Sequence, residues 1–103
     1  MSVLMNFAIF PTDLGESKSK EVAQVIEMIK NSGVAYKLNA MGTTIETETM
    51  QEALKILNDS YEILNQKHSR IYSTVTFDIR KNHHNRLEGK VESIEKIIGK
   101  VNT

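Results

Sequence analysis

Tyr36-Lys37-Leu38-Asn39-Ala40-Met41-Gly42-Thr43-Thr44-Ile45-Glu46-Thr47-Glu48 reads as two strands that reverse on each other, with Gly42 at the bend. In the first arm Tyr36, Leu38 and Ala40 alternate with Lys37, Asn39 and Met41. In the second Thr43, Ile45 and Thr47 alternate with Thr44, Glu46 and Glu48. Alternation with period two and β-branched residues marks strands with two unlike faces, and glycine suits a tight reversal. One face carries Leu38 and Ile45 and can meet helices. The other offers Asn39, Thr44 and Glu46, which either meet water or bind something.

On the N-terminal side, Val3 to Phe10 is an apolar run of strand length, closed by Pro11 and the turn-like Thr12-Asp13-Leu14-Gly15. Both of its sides are apolar except at Asn6, which suggests a central strand. Ser17 or Ser19 can cap a helix in which Val22, Val25, Ile26 and Ile29 recur at helical spacing, and Gly33 can stop it. Beyond the hairpin, Thr49 and Glu52 form a capping-box pattern for a second helix ending near His68, with Ala53, Leu54, Leu57, Tyr61 and Leu64 as its apolar stripe.

Ile71 to Arg80 is a long strand, with Ile71, Ser73, Val75, Phe77 and Ile79 toward the core and Tyr72, Thr74, Thr76, Asp78 and Arg80 away from it. Leu87, Val91, Ile94 and Ile98 then trace a short third helix. The order β-α-β-β-α-β predicts an α+β, ferredoxin-like sandwich. A four-stranded antiparallel sheet carries both principal helices on one face, with a C-terminal helix added. The other face is then open and carries Asn6, Asn39, Thr44, Glu46, Thr74 and Thr76 beside Leu4, Ala8 and Phe10. A partly apolar open face is usually covered by a second subunit or a ligand.

Residues 1–103 are expected to form a single domain. Thirteen Lys and Arg balance thirteen Asp and Glu, and no basic stripe appears, which argues against a nucleic-acid surface. Near-zero net charge makes self-association easier. There is no cysteine, hence no disulfide frame and no thiolate nucleophile. The N-terminus lacks the basic head and long apolar run of a signal peptide, and no stretch spans a bilayer, so the expected location is cytoplasmic.

Glu46 can accept hydrogen bonds from an amino-heterocycle or pair with a cation; the plainer reading is a solvated carboxylate in an exposed cross-strand pair. Asp78 and Arg80 share a side and can clamp a ligand or tie subunits, although a local surface ion pair accounts for them equally well. His83 and His84 sit adjacent in a polar connector and, with His68, show no spacing that converges on one metal, so no metal or cofactor is expected. Gly15 and Gly33 are too isolated to cradle a phosphate, and no triad or acid–base pair is apparent. Met5, Met28, Met41 and Met50 read as gap fillers.

Two segments together resemble a known family. Met41-Gly42-Thr43-Thr44-Ile45-Glu46 is similar to the Met-Gly-Thr-x-x-Glu hairpin of a small thiamine-binding protein family. Arg70 to Arg80 and Gly89-Lys90-Val91-Glu92-Ser93-Ile94 resemble that family's last strand and C-terminal helix, and Pro11 matches too. Departures fall at Pro11-Thr12-Asp13-Leu14-Gly15 and at Thr47, where the family pattern has glycine.

The resemblance implies a ferredoxin-like subunit that dimerises through its sheet and commonly forms a tetramer. It implies binding of thiamine or its hydroxymethyl-pyrimidine part without catalysis. The positions it carries over are Thr43, Glu46, Asp78, Arg80 and Lys90. In physical terms, Glu46 could pair with an amino-pyrimidine, threonine hydroxyls could add hydrogen bonds, and Phe10, Tyr36 or Tyr72 could stack on the ring.

The expectation is therefore a homo-oligomeric, non-catalytic carrier, buffer or sensor for a small heterocycle, contacted by Asn6, Asn39, Thr43, Thr44, Glu46, Thr74, Thr76, Asp78 and Arg80. The alternative is an assembly or regulatory module whose open face serves only subunit contact.

Overall fold

The computed structural model describes residues 1–13 and 18–103. Its elements are β1 (Ser2–Pro11), α1 (Ser19–Ser32), β2 (Ala35–Asn39), β3 (Gly42–Thr47), α2 (Met50–Asn65), β4 (Ile71–Arg80) and α3 (Arg86–Ile98). The strands form one sheet in the order β2-β3-β1-β4, and every pairing is antiparallel. This is the ferredoxin-like arrangement.

β1 lies in the middle because both of its sides can be buried. Val3, Met5, Phe7 and Ile9 face the helices and join Ile45 of β3, Val25 and Ile29 of α1, and Ala53, Ile56 and Leu64 of α2 in the core. Burying side chains of this size contributes about 1.5–3 kcal/mol each.

α1 ends as its sequence suggests, with Gly33 at φ 83, a left-handed conformation that glycine adopts at little cost. Its start differs. Lys18 is the N-cap and makes no side-chain cap, and Ser19 is already helical. Ser17, like Leu14 and Gly15 of the expected turn, lies outside the described residues.

α2 is capped by Thr49, whose hydroxyl accepts from the Glu52 amide at 3.2 Å and donates to the Glu52 carboxylate at 2.9 Å. The helix stops at Asn65, short of His68. Its buried side is Ala53, Ile56, Ser60 and Leu64, while Leu54 and Tyr61 are 45% and 41% exposed. The expected stripe is therefore rotated. Ser60 goes inside because its hydroxyl donates to the Ile56 carbonyl at 2.7 Å, leaving no unsatisfied polar group.

Two further expectations change. β4 runs along a sheet edge, and the helices leave Phe77 and Ile79 of its core side 37% and 50% exposed. The second sheet face is also only half open. α3 lies across it and contacts β3, β1 and β2, and Leu4 beneath it is buried. The apolar Leu87 and Val91 line the space above Leu4, which gives α3 a reason to dock there. Ile94, Ile97 and Ile98 at the far end of α3 stay exposed.

Candidate functional site

The β2–β3 hairpin turns on Ala40 and Met41, one position earlier than expected, and Gly42 already belongs to β3. Asn39 holds the turn by accepting the Met41 amide at 2.8 Å. Gly42 is required for a reason other than turn geometry. A Cβ there would sit 2.8 Å from the Phe7 carbonyl oxygen of β1, so only glycine lets the two backbones approach this closely. From that point side chains alternate, with Thr43 and Ile45 buried toward the helices and Thr44 and Glu46 on the α3 side.

Glu46 is not a free carboxylate. One oxygen accepts from the Ser2 hydroxyl and from the Arg86 amide at 3.0 Å, the other from the Leu87 amide at 3.0 Å. Those amides open α3, whose own N-cap residue, Asn85 at φ 53, provides no side-chain cap. Glu46 therefore caps the helix from across the sheet and sets a negative charge against its N-terminal dipole.

The Arg86 guanidinium closes the cluster. It donates from Nε to the Ser2 hydroxyl at 3.0 Å and from Nη2 to the carbonyls of Ser2 at 2.8 Å and Asp78 at 2.6 Å. Its Nη1 lies 2.9 Å from the Asp78 carboxylate, which also takes Lys90 at 3.1 Å. Burial pushes the Glu46 pKa up, but the Ser2 hydroxyl, the Leu87 and Arg86 amides and the Arg86 charge outweigh it and hold the carboxyl below its ordinary value. The Lys90 hydrogen bond, with the Arg86 charge, lowers Asp78 as well. Asp78 thus pairs with α3 rather than with Arg80. Ser2 and Arg86 were missed from sequence, since Arg86 reaches partners 84 positions away that no local pattern links.

The remaining sequence-chosen residues divide between two places. On the α3 side, Asn6 Oδ1 accepts from the Thr44 hydroxyl at 2.9 Å, and Thr76 donates weakly to the Asn6 carbonyl at 3.4 Å. Thr74 and Arg80 are exposed. A groove of about 530 Å³ between α3 and the sheet is lined by Leu4, Lys37, Asn39, Thr44 and Lys90 among others. Thr43 stands apart, on the opposite face.

Thr43 lines a second space of about 300 Å³, between the hairpin and the first half of α1. Its walls are mostly apolar, with Phe7, Ile9, Val25, Ile26 and Leu38 among them; Asn39 lines it as well as the groove, and no Lys, Arg, Asp or Glu lines it among the described residues. The buried Thr43 side chain makes no hydrogen bond among the described residues. Phe10 reaches the rim, where its ring lies 5.7 Å from that of Tyr72 and 5.8 Å from Lys18 Nζ. This is the usual composition of a small-molecule site: an apolar enclosure with a few polar groups that fix orientation.

Two of the three histidines make local contacts. His68 Nδ1 meets Asp13 at 3.1 Å, whereas His83 Nδ1 meets the Lys81 carbonyl at 2.9 Å beyond the other end of β4. The Ser69 amide, aided by the Ser69 hydroxyl and His68, lowers the Asp13 pKa. No helix among the described residues is long and apolar enough to cross a membrane.

With this geometry in hand, comparison with known proteins places the chain. The family model described as thiamine-binding protein matches residues 5–95, and the chain belongs to that family. It is similar to the UPF0045 protein MJ1052 of Methanocaldococcus jannaschii, 32% identical over 92 residues, covering 89% of this chain and 91% of the relative. A UPF0045 protein of Methanothermobacter thermautotrophicus is 34% identical over 83 residues, covering 80% of this chain and 84% of the relative. The crystal structure of MJ1052 superposes with a TM-score of 0.80 over 93% of this chain and 98% of that one. A Thermotoga maritima structure, described as a candidate in thiamine biosynthesis or salvage, superposes with a TM-score of 0.78 over 91% of this chain and 99% of that one. At 20% identity it bears on the fold alone.

Proposed function

We propose that this protein binds thiamine, or a related hydroxymethyl-pyrimidine, without turning it over, in the cavity between the β2–β3 hairpin and α1. Membership of the thiamine-binding family supports the ligand class. The observation that carries the choice of site is Thr43, a buried residue whose side chain makes no hydrogen bond among the described residues and which lines, with Asn39, a mostly apolar space. Such a hydroxyl can donate to a pyrimidine nitrogen or accept from its amino group, and the bond gains strength where water is excluded.

Charge favours this cavity over the groove beneath α3. Thiamine carries a cationic thiazolium, and the groove presents Lys37 and Lys90, an unfavourable pairing of like charges. No Lys, Arg, Asp or Glu lines the cavity among the described residues, and the one cation near it, Lys18 Nζ, lies over the Phe10 ring at the rim, 5.8 Å from its centroid. Glu46 and Asp78 are held by α3, which supports binding over acid–base chemistry. In this reading the protein is a cytoplasmic, homo-oligomeric carrier, buffer or sensor. Subunit contact on the sheet face is then confined to the half beyond α3, around Ala8, Phe10, Thr74 and Thr76. The second reading, an assembly module, is favoured by the exposed apolar side chains of β4 and α3.

Calorimetric titration with thiamine and with hydroxymethyl-pyrimidine tests the proposal. Thr43→Val keeps the shape and removes the hydroxyl. It should weaken binding about five- to tenfold, the worth of one enclosed hydrogen bond, and leave the melting temperature of the free protein nearly unchanged. Equal affinity in the variant, or no heat with either compound, would count against the site.

A further inference from the structure

Where β4 ends and α3 begins, basic side chains gather around an open pocket of about 360 Å³. Arg80, His83, His84, Arg86 and Lys90 line it, and Asp78 is its only acidic residue among the described residues. Three permanent cations thus face one carboxylate, in a chain whose charges of the two signs are equal in number.

Part of this charge is already engaged. The Arg86 guanidinium is bonded to Ser2 and Asp78. Lys90 gives one N–H to Asp78 at 3.1 Å, and an ammonium has two more to give. The Arg80 side chain makes no hydrogen bond or ion pair among the described residues. His83 uses Nδ1 at the Lys81 carbonyl, and its Nε2 has no partner among the described residues. His84 also borders a space lined by Glu46, Glu48 and Glu52, where its charge is offset. The end of α3 adds little pull of its own, because the Arg86 and Leu87 amides already meet Glu46.

Gly89 is an independent mark of the same place. It lies inside α3, where glycine costs about 1 kcal/mol relative to alanine. Its φ is not positive, and a Cβ built on it would meet nothing within 4 Å. Neither the backbone nor packing within the chain requires glycine. What its missing side chain does is leave the pocket open beside Lys90.

We propose that this pocket binds a phosphate dianion, free or as the ester of a small molecule, held by Arg80 and Lys90 with His83 at its edge. The surplus of two positive charges matches a dianion, and the planar fork of an arginine suits two oxygens of one phosphate. The gap at Gly89 gives the phosphate room against α3. The same surplus repels a thiazolium cation, so this is a second site. Arg80 pairs with Ser2 at the start of β1, whereas the hairpin cavity takes its β1 residues from Phe7 onward. The proposal therefore stands whatever that cavity holds.

Amide NMR spectra of the full chain, titrated with glycerol 3-phosphate, inorganic phosphate and sodium chloride at matched ionic strength, test it. The phosphate compounds should give saturable shifts centred on residues 78–93, and chloride should give none. The tighter of the two tells an ester site from a free-ion site. Arg80→Gln, at an exposed position and hence compatible with folding, should weaken binding at least about tenfold, as loss of a hydrogen bond to a charged group does. Gly89→Leu should fill the opening and weaken binding by a similar factor while keeping α3 intact, since leucine is the better helix former. Shifts that follow ionic strength alone overturn the proposal, and so does an affinity unchanged in either variant.

Discussion

Glu46 shows how one side chain can carry a helix it does not belong to. It supplies the two acceptors that the first amides of α3 need, and Ser2 and Arg86 hold it in place. Replacing it with alanine should loosen α3 by about 1–2 kcal/mol, the worth of a lost N-cap. Amide exchange should quicken across Arg86–Ile98 while β1 and β3 stay protected. The pH dependence follows from the depressed pKa. The folded carboxyl sits below its ordinary value of 4.5, so its stabilisation is complete above that value and fades as acid brings the solution down through the folded pKa. A plot of stability against pH should fall below about 4.5, and Glu46→Gln should flatten that fall. An identical slope in the variant would assign the acid sensitivity to another carboxylate. The same geometry makes Glu46→Ala a poor test of ligand contact, since a change in binding would report the loss of α3. Thr43, whose side chain makes no hydrogen bond among the described residues, is the cleaner probe.

Most elements were legible in the sequence because their causes are local. Alternation around Ile45, the Thr49 cap and the Gly33 stop each act within a few residues, and each stands where its pattern indicated. What escaped was the phase of α2 and the resting place of α3. A hydropathy stripe puts Leu54 and Tyr61 inside and Ser60 outside, but Ser60 satisfies its own hydroxyl along the helix and fits where a bulkier side chain would not. The place of α3 depends on Glu46, which is 40 residues from the Arg86 amide it accepts. The site was legible only in part for the same reason. Thr43 was chosen by resemblance, whereas its partners across the cavity come from α1 and β1, which only the folded sheet brings near. The phase of α2 is open to direct test. Ser60→Leu should cost about 1–3 kcal/mol by overpacking, while Leu54→Ser should stay within about 0.5 kcal/mol in the monomer. Urea unfolding measures both, and the reverse ranking would mean that the hydropathy stripe, and not the observed side, faces the core.

At the scale of the whole molecule, the proposed cavity lies at one end of the sheet, among the hairpin, β1 and α1. The hairpin of β2 and β3 walls the cavity, and β4 forms the far edge. Three strand spacings, about 14 Å, separate β2 from β4, and β4 contributes no residue to the cavity lining among the described residues. β1 also lines the cavity, from Phe7 to Phe10, and pairs directly with β4, but Ile79 stands opposite Val3, four residues along β1 from Phe7, and at about 13 Å along the strand its replacement and ligand binding contribute almost independently to stability. Ligand at a hundred times its dissociation constant adds about 2.7 kcal/mol to the folded state, a rise of several degrees in a chain of this length. Ile79→Lys puts a charge among the exposed apolar side chains of β4. That rise should be the same in the wild type and in Ile79→Lys, although the melting temperature of the wild type alone should climb with protein concentration, as it does when folding and association are linked. Differential scanning calorimetry across a hundredfold range of concentration, with and without thiamine, separates the outcomes. Equal ligand shifts would place the binding site within one subunit. A shift that vanishes in Ile79→Lys would mean that binding requires the assembled pair, and would move the ligand from the hairpin cavity to a surface that only two copies complete.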